Sequence, residues 1–60
     1  MNENTWLEKL KAAVEALEVE HDKFYRKQNN SAGTRARGIL QDIKRLAQEG
    51  RNDIQALKIA

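Results

Sequence analysis

Two apolar rows, one on each side of a single cluster of turn residues, narrow what this chain can become more than any other feature. The first runs Leu7, Leu10, Val14, Leu17, His21, Phe24 and the second Leu40, Ile43, Ala47, Gly50, Ile54, Leu57, each with steps of 3, 4, 3, 4, 3. Such steps return side chains to one side of an α-helix, whereas a strand needs steps of two. No proline interrupts either row, and β-branched and aromatic residues are too scattered to form alternating strands. The spacing therefore predicts an all-α chain. A first helix is expected over about residues 4–28, starting where Asn4 or Thr5 can cap and where Glu8 completes a capping-box pattern with Thr5.

Between the rows, Gln28-Asn29-Asn30-Ser31-Ala32-Gly33 gathers residues that favour turns and caps. A turn is expected at about residues 29–31, with Asn30 or Ser31 capping a second helix over about 31–58 and Thr34 as a competing cap. At 1.5 Å per residue each helix is roughly 38 Å long, so a short turn makes the pair antiparallel. The expected unit is one helical hairpin domain spanning residues 1–60.

With 60 residues and no cysteine, a hairpin has neither a large core nor a disulfide to support it. Ile39 and Leu46 lie beside the second row and widen its apolar surface. The expected remedy is self-association, as a homodimer or larger assembly, into a coiled-coil-like four-helix bundle. Its core would take Leu7, Leu10, Val14, Leu17 and Phe24 from the first helix and Ile39, Leu40, Ile43, Leu46, Ile54 and Leu57 from the second. A glycine inside a helix costs about 1 kcal/mol relative to alanine, so Gly50 on the seam predicts either a close helix crossing or a local break. Gly38 carries the same ambiguity nearer the helix start.

The formal charge of +2 hides a skew along the chain. Residues 1–22 hold six acids (Glu3, Glu8, Glu15, Glu18, Glu20, Asp22) against Lys9 and Lys11, a net −4. Residues 23–45 hold seven bases (Lys23, Arg26, Lys27, Arg35, Arg37, Lys44, Arg45) against Asp42, a net +6, and these are expected to converge at the hairpin tip. Beyond them Arg51 and Lys58 balance Glu49 and Asp53. A pole of this kind attracts polyanions.

Catalysis needs a nucleophile with a base, paired carboxylates or a metal set, and one histidine without cysteine supplies little of this. A non-enzymatic chain without cofactor, metal or small-molecule substrate is expected. His21 reads either as a metal ligand shared across a dimer axis or, more simply, as a packed histidine bonded to a carboxylate. Glu15, Glu18, Glu20 and Asp22 lack the spacing of a calcium loop and read as a solvated helix face. No apolar run approaches the roughly 20 residues of a membrane span, and Met1 to Thr5 form no signal pattern. The absence of cysteine agrees with a reducing compartment, so a soluble, cytoplasmic chain is expected.

Of the three aromatics, Phe24 belongs to the seam, Trp6 is expected to shield the open end of the bundle, and Tyr25, beside Lys23, Arg26 and Lys27, reads as half-buried packing or a phosphate contact. Arg37, Lys44, Arg51 and Lys58 recur every seven residues and form one cationic row along the second helix. With Leu40 as heptad position a, they occupy e positions. There they either pair with acids on a neighbouring helix, such as Glu18 or Glu20, or remain free for phosphates.

The segment Asn30-Ser31-Ala32-Gly33-Thr34-Arg35-Ala36-Arg37, followed by an Ile-Leu and Lys-Arg-Leu helix, resembles the chlamydial-type, linker-histone-like family. Members typically carry a Gly-Asn-Lys-Ala-Ala-Gly-Thr-Arg-Ala-Arg-Lys block after an acidic helix, then a helix with an Arg-containing segment like Glu49-Gly50-Arg51-Asn52-Asp53-Ile54 here. The resemblance covers most of residues 7–58, and the Ala32–Arg37 hexamer is its specific part. It implies a nucleoid-associated protein that binds and condenses DNA, with Arg35 and Arg37 matching the family's arginines and Gly33 and Thr34 its turn-to-helix start. Many relatives add a long Lys/Ala-rich tail, which this sequence lacks, and Gln28 and Ser31 stand in a turn where relatives commonly carry glycine and lysine. The expectation is therefore a tail-less, histone-like member acting at the bacterial nucleoid.

Taken with the charge pattern, the leading expectation is DNA binding, mainly to the phosphate backbone, through Lys23, Arg26, Lys27, Arg35, Arg37, Lys44, Arg45 and Arg51. Two alternatives stand beside it. One is an oligomerisation module in which the charges only pair helices, and the other is a dimeric helical hairpin that binds RNA.

Overall fold

The computed structural model describes residues 5–58, which form two helices, α1 (Thr5–Lys27) and α2 (Asn30–Leu57), and no strand. Residue 4, the expected start of the first helix, and its candidate cap Asn4 lie outside the described residues. The helices pack antiparallel as a hairpin, 49 × 17 × 13 Å along its principal axes. That is two helices wide and one helix thick.

The reversal needs only Gln28 and Asn29. Gln28 takes a left-handed conformation with φ 54°, and the Asn29 N–H donates to the Lys23 carbonyl at 3.2 Å. A left-handed residue just past the last helical one is a common way for a helix to end, here with glutamine where glycine would be favoured. The same twist turns Asn29 into extended backbone (φ −90°, ψ 106°), so its side chain accepts the Ala32 N–H at 3.2 Å and caps α2. The cap is thus Asn29 rather than Asn30, Ser31 or Thr34, because a single left-handed residue already reverses the chain.

The rows that meet differ from those the apolar spacing suggests. Facing α2 are Trp6, Leu10, Ala13, Leu17 and Glu20, and facing α1 are Ala32, Ala36, Ile39, Ile43, Leu46 and Gly50. Ile39 and Leu46, expected beside the seam, lie in it, while Leu40, Ile54 and Leu57 point outward at 50%, 61% and 73% exposure. Small residues explain the choice, since Ala32 and Ala36 let the helices approach where a row of leucines would hold them apart, and Gly50 admits the Trp6 ring. Only Ala32 and Gly50 are buried among the described residues.

Two aromatic rings close the ends. A Cβ placed on Gly50 would lie 2.7 Å from the Trp6 ring, and one on Gly33 would lie 2.7 Å from the Phe24 ring. Trp6 therefore seals the open end, and the closeness expected of Gly50 is that of a ring seated on a bare backbone. A Cβ on Gly38 would meet nothing within 4 Å, so that glycine serves no packing role.

The hairpin exposes 5126 Å² of surface. A compact chain of 6.9 kDa exposes about 4,000 Å². An elongated two-helix unit exposes more than a compact one, and on its outward rows Val14, Phe24, Leu40, Ile54 and Leu57 are all exposed.

Candidate nucleic-acid interface

Three of the eight candidate cations are engaged within the hairpin. Arg35 Nε donates to Glu20 Oε1 at 2.9 Å, joining α2 to α1. Glu20 stands in the inner row with its side chain only 15% exposed, so Arg35 compensates a carboxylate that has lost most of its water. The sequence suggests Asp42 or a partner chain for Arg35, but Asp42 lies one turn from Arg45 and pairs with it. Arg26 Nε binds Asp22 Oδ1 at 3.2 Å, one turn back along α1. Nothing in the local spacing signals the Glu20–Arg35 pair, which is fifteen residues apart. It exists only because the turn aligns the two helices.

Lys23, Lys27, Arg37, Lys44 and Arg51 make no ion pair among the described residues. Among those residues, neither Arg51 nor Lys58 pairs with the acids near it in sequence. Lys23 and Lys27 sit in the last turns of α1, beside the start of α2. Lys44 and Arg45 do not join them at the tip, because fourteen residues of helix carry Lys44 about 21 Å from Asn30. The charged region is a pole at the turn continued by an edge, with Arg37, Lys44 and Arg51 spaced about 10 Å apart along α2.

That edge borders a cleft of about 630 Å³ at the turn end of one face. Leu17, His21, Phe24 and Tyr25 line it from α1, and Gly33, Ala36, Arg37 and Leu40 from α2. These residues fix which sides of the two helices share the face. Steps of seven stay on one side of a helix, so Val14 follows His21, Ala47 and Ile54 follow Leu40, and Lys44 and Arg51 follow Arg37. The face is therefore an apolar band bordered by cations along α2.

His21 is exposed and stacks on Tyr25 one turn away, with ring centroids 4.6 Å apart, rather than meeting a carboxylate. Tyr25, 68% exposed, also receives Phe24 edge-on at 5.0 Å. The three rings form a small aromatic surface that their adjacency and i, i+4 spacing signalled, though not its exposure. Among the described residues no group of three or more His, Cys, Asp or Glu is placed to hold a metal ion. Among them, too, no helix is long and apolar enough to cross a membrane.

The family model described as histone H1-like protein Hc1 matches residues 4–60. No curated protein and no solved structure matches the chain.

Proposed function

Because the chain belongs to the histone H1-like protein Hc1 family, a family of DNA-binding architectural proteins rather than enzymes, we propose that it acts at the nucleoid by holding duplex DNA through its phosphates with little regard to base sequence. The observation that carries this reading is the set of unpaired cations, Lys23 and Lys27 at the turn and Arg37, Lys44 and Arg51 along α2. A guanidinium suits phosphate oxygens because its planar fork donates two bonds at once. The edge from Arg37 to Arg51 is about 21 Å long, enough to meet several phosphates along a duplex. Arg26, Arg35 and Arg45 join in only by sharing their acids, so they contribute less. The same reading includes a cytoplasmic homodimer in which the exposed apolar band forms the inside of a four-helix bundle.

The Glu20–Arg35 pair, which joins α2 to α1, favours a second reading, in which the charges only hold helices together. Binding to random-sequence duplex DNA at two salt concentrations separates the two. Phosphate binding by three to five cations gives a slope of about −3 to −5 in log affinity against log salt. No binding at low salt, or binding indifferent to salt, would overturn the proposal. Tighter binding to an RNA duplex of equal length would move it to RNA.

A further inference from the structure

The apolar band is bordered by opposite charges on its two sides. Beyond Arg37, Lys44 and Arg51 on α2 there is solvent, and beyond Val14 and His21 on α1 come Glu18, in the row of Tyr25 and Lys11, and then Glu8, Glu15 and Asp22, the last already paired with Arg26. All four acids are exposed. A face with an acidic side and a basic side complements itself under only one kind of two-fold stacking. If the axis runs parallel to the helices, α1 of one copy lies over α2 of the other, acids meet bases at both seams, and both turns come to the same end. If the axis runs across the helices, α1 lies over α1 and α2 over α2, and like charges meet at both seams.

We propose that a second copy of this chain covers the apolar face in the first of these arrangements, with both turns at one end and the acidic side of each α1 along the cationic side of the partner's α2. The proposal deepens the self-association part of the function proposed above, and under it Arg37 and Arg51 reach phosphates only by sharing acids of the other copy, while Lys23 and Lys27 stay free. The exposed surface points the same way. The excess over a compact chain is about 1,100 Å², and a standard interface removes about 800 Å² from each partner.

Heights along the bundle make the proposal specific. Phe24 packs on Gly33, Glu20 bonds to Arg35 and Trp6 packs on Gly50, so residues whose numbers add to about 56 stand level. A two-fold axis parallel to the helices preserves height. Arg37 then stands within one residue of Glu18 of the other copy, and Arg51 within a turn of Glu8. Lys44 stands level with Lys11, a like-charge contact relieved by Glu15 one turn away. The arrangement also gathers Lys23 and Lys27 of both copies at one end, doubling the charge of the pole.

The test is sedimentation equilibrium of the full chain without DNA, combined with an interchain distance measured between spin labels attached at Gln28→Cys. The expected results are a mass of two chains that dissociates as salt rises, and labels close together at the shared end. Glu18→Lys should weaken association several-fold, and Lys11→Glu should tighten it, because one breaks an attraction and the other relieves a repulsion at each of two seams. Both side chains are exposed, and circular dichroism checks that each variant is still helical. Labels about a helix length apart, roughly 40 Å, or inverted effects of the two charge changes, would overturn the arrangement while leaving self-association standing. A single-chain mass at all concentrations would sink self-association itself, while duplex binding by the separate hairpin is read independently from its own salt titration.

Discussion

Gly50 and Gly38 form a natural pair for testing whether the Trp6 ring holds the open end of the hairpin. Both lie inside α2 in helical backbone, so replacing either by alanine recovers about 1 kcal/mol of helix propensity. They differ in surroundings. A Cβ at position 50 would meet Trp6 Cε3, Cζ3 and Cδ2 at 2.7, 2.8 and 2.9 Å, whereas one at position 38 meets nothing within 4 Å. Displacing a seated ring costs about 1–3 kcal/mol, as other overpacking changes do. Gly38→Ala should therefore raise the melting temperature by about 4–8 °C, as expected for about 1 kcal/mol in a domain this small. Gly50→Ala should leave it unchanged or lower it, with a net loss of up to about 2 kcal/mol once propensity offsets the clash. Melting followed by circular dichroism, at one fixed protein concentration because self-association shifts the midpoint, measures both. Repeating Gly50→Ala in a Trp6→Ala background completes a double-mutant cycle, and there the alanine should stabilise by about 1 kcal/mol. An equal rise in Gly50→Ala and Gly38→Ala, or the same effect of Gly50→Ala with and without the ring, would refute the packing of Trp6 on Gly50.

At the turn, Asn29→Ala should cost about 0.5–2 kcal/mol through the lost cap, and Gln28→Gly should stabilise by up to about 1 kcal/mol by removing a side chain from left-handed backbone; denaturant midpoints read both, and the opposite signs would contradict the capped turn. Leu17→Ala and Ile43→Ala, facing each other's helix, should each cost about 2 kcal/mol or more, and unchanged melting in both would show that the inner rows are misplaced. Arg37→Ala should reduce the salt slope of duplex binding by about one unit without unfolding the hairpin, as circular dichroism checks. Arg35→Ala should lower stability by about 1 kcal/mol, because it abandons Glu20. If Arg37→Ala, Lys44→Ala and their double variant all bind DNA as the unaltered chain does at low salt, the cationic edge serves helix pairing alone.

Helix, turn and charge polarity are legible in the residues themselves because each depends on neighbours within a few positions. Apolar steps of three and four, the absence of proline and the Gln28–Gly33 cluster suffice to place two helices and one reversal, and a count of charges separates an acidic α1 from the basic segment after it. The Ala32–Arg37 hexamer points to the family without any structure. The choice of inner row was not legible. Each helix carries two overlapping rows with the same periodicity, and hydropathy favours Leu40, Ile54 and Leu57 over Ala32 and Ala36. What selects the second set is how closely two backbones can approach, a property of the pair of helices and of neither alone. The same pairing decides which cations are free, since Glu20 and Arg35 become partners only when the turn sets them level. Tertiary structure thus turned one of the two candidate family arginines into a brace between helices and left Arg37 facing solvent, because a charge is claimed by whatever opposite charge the fold brings within reach.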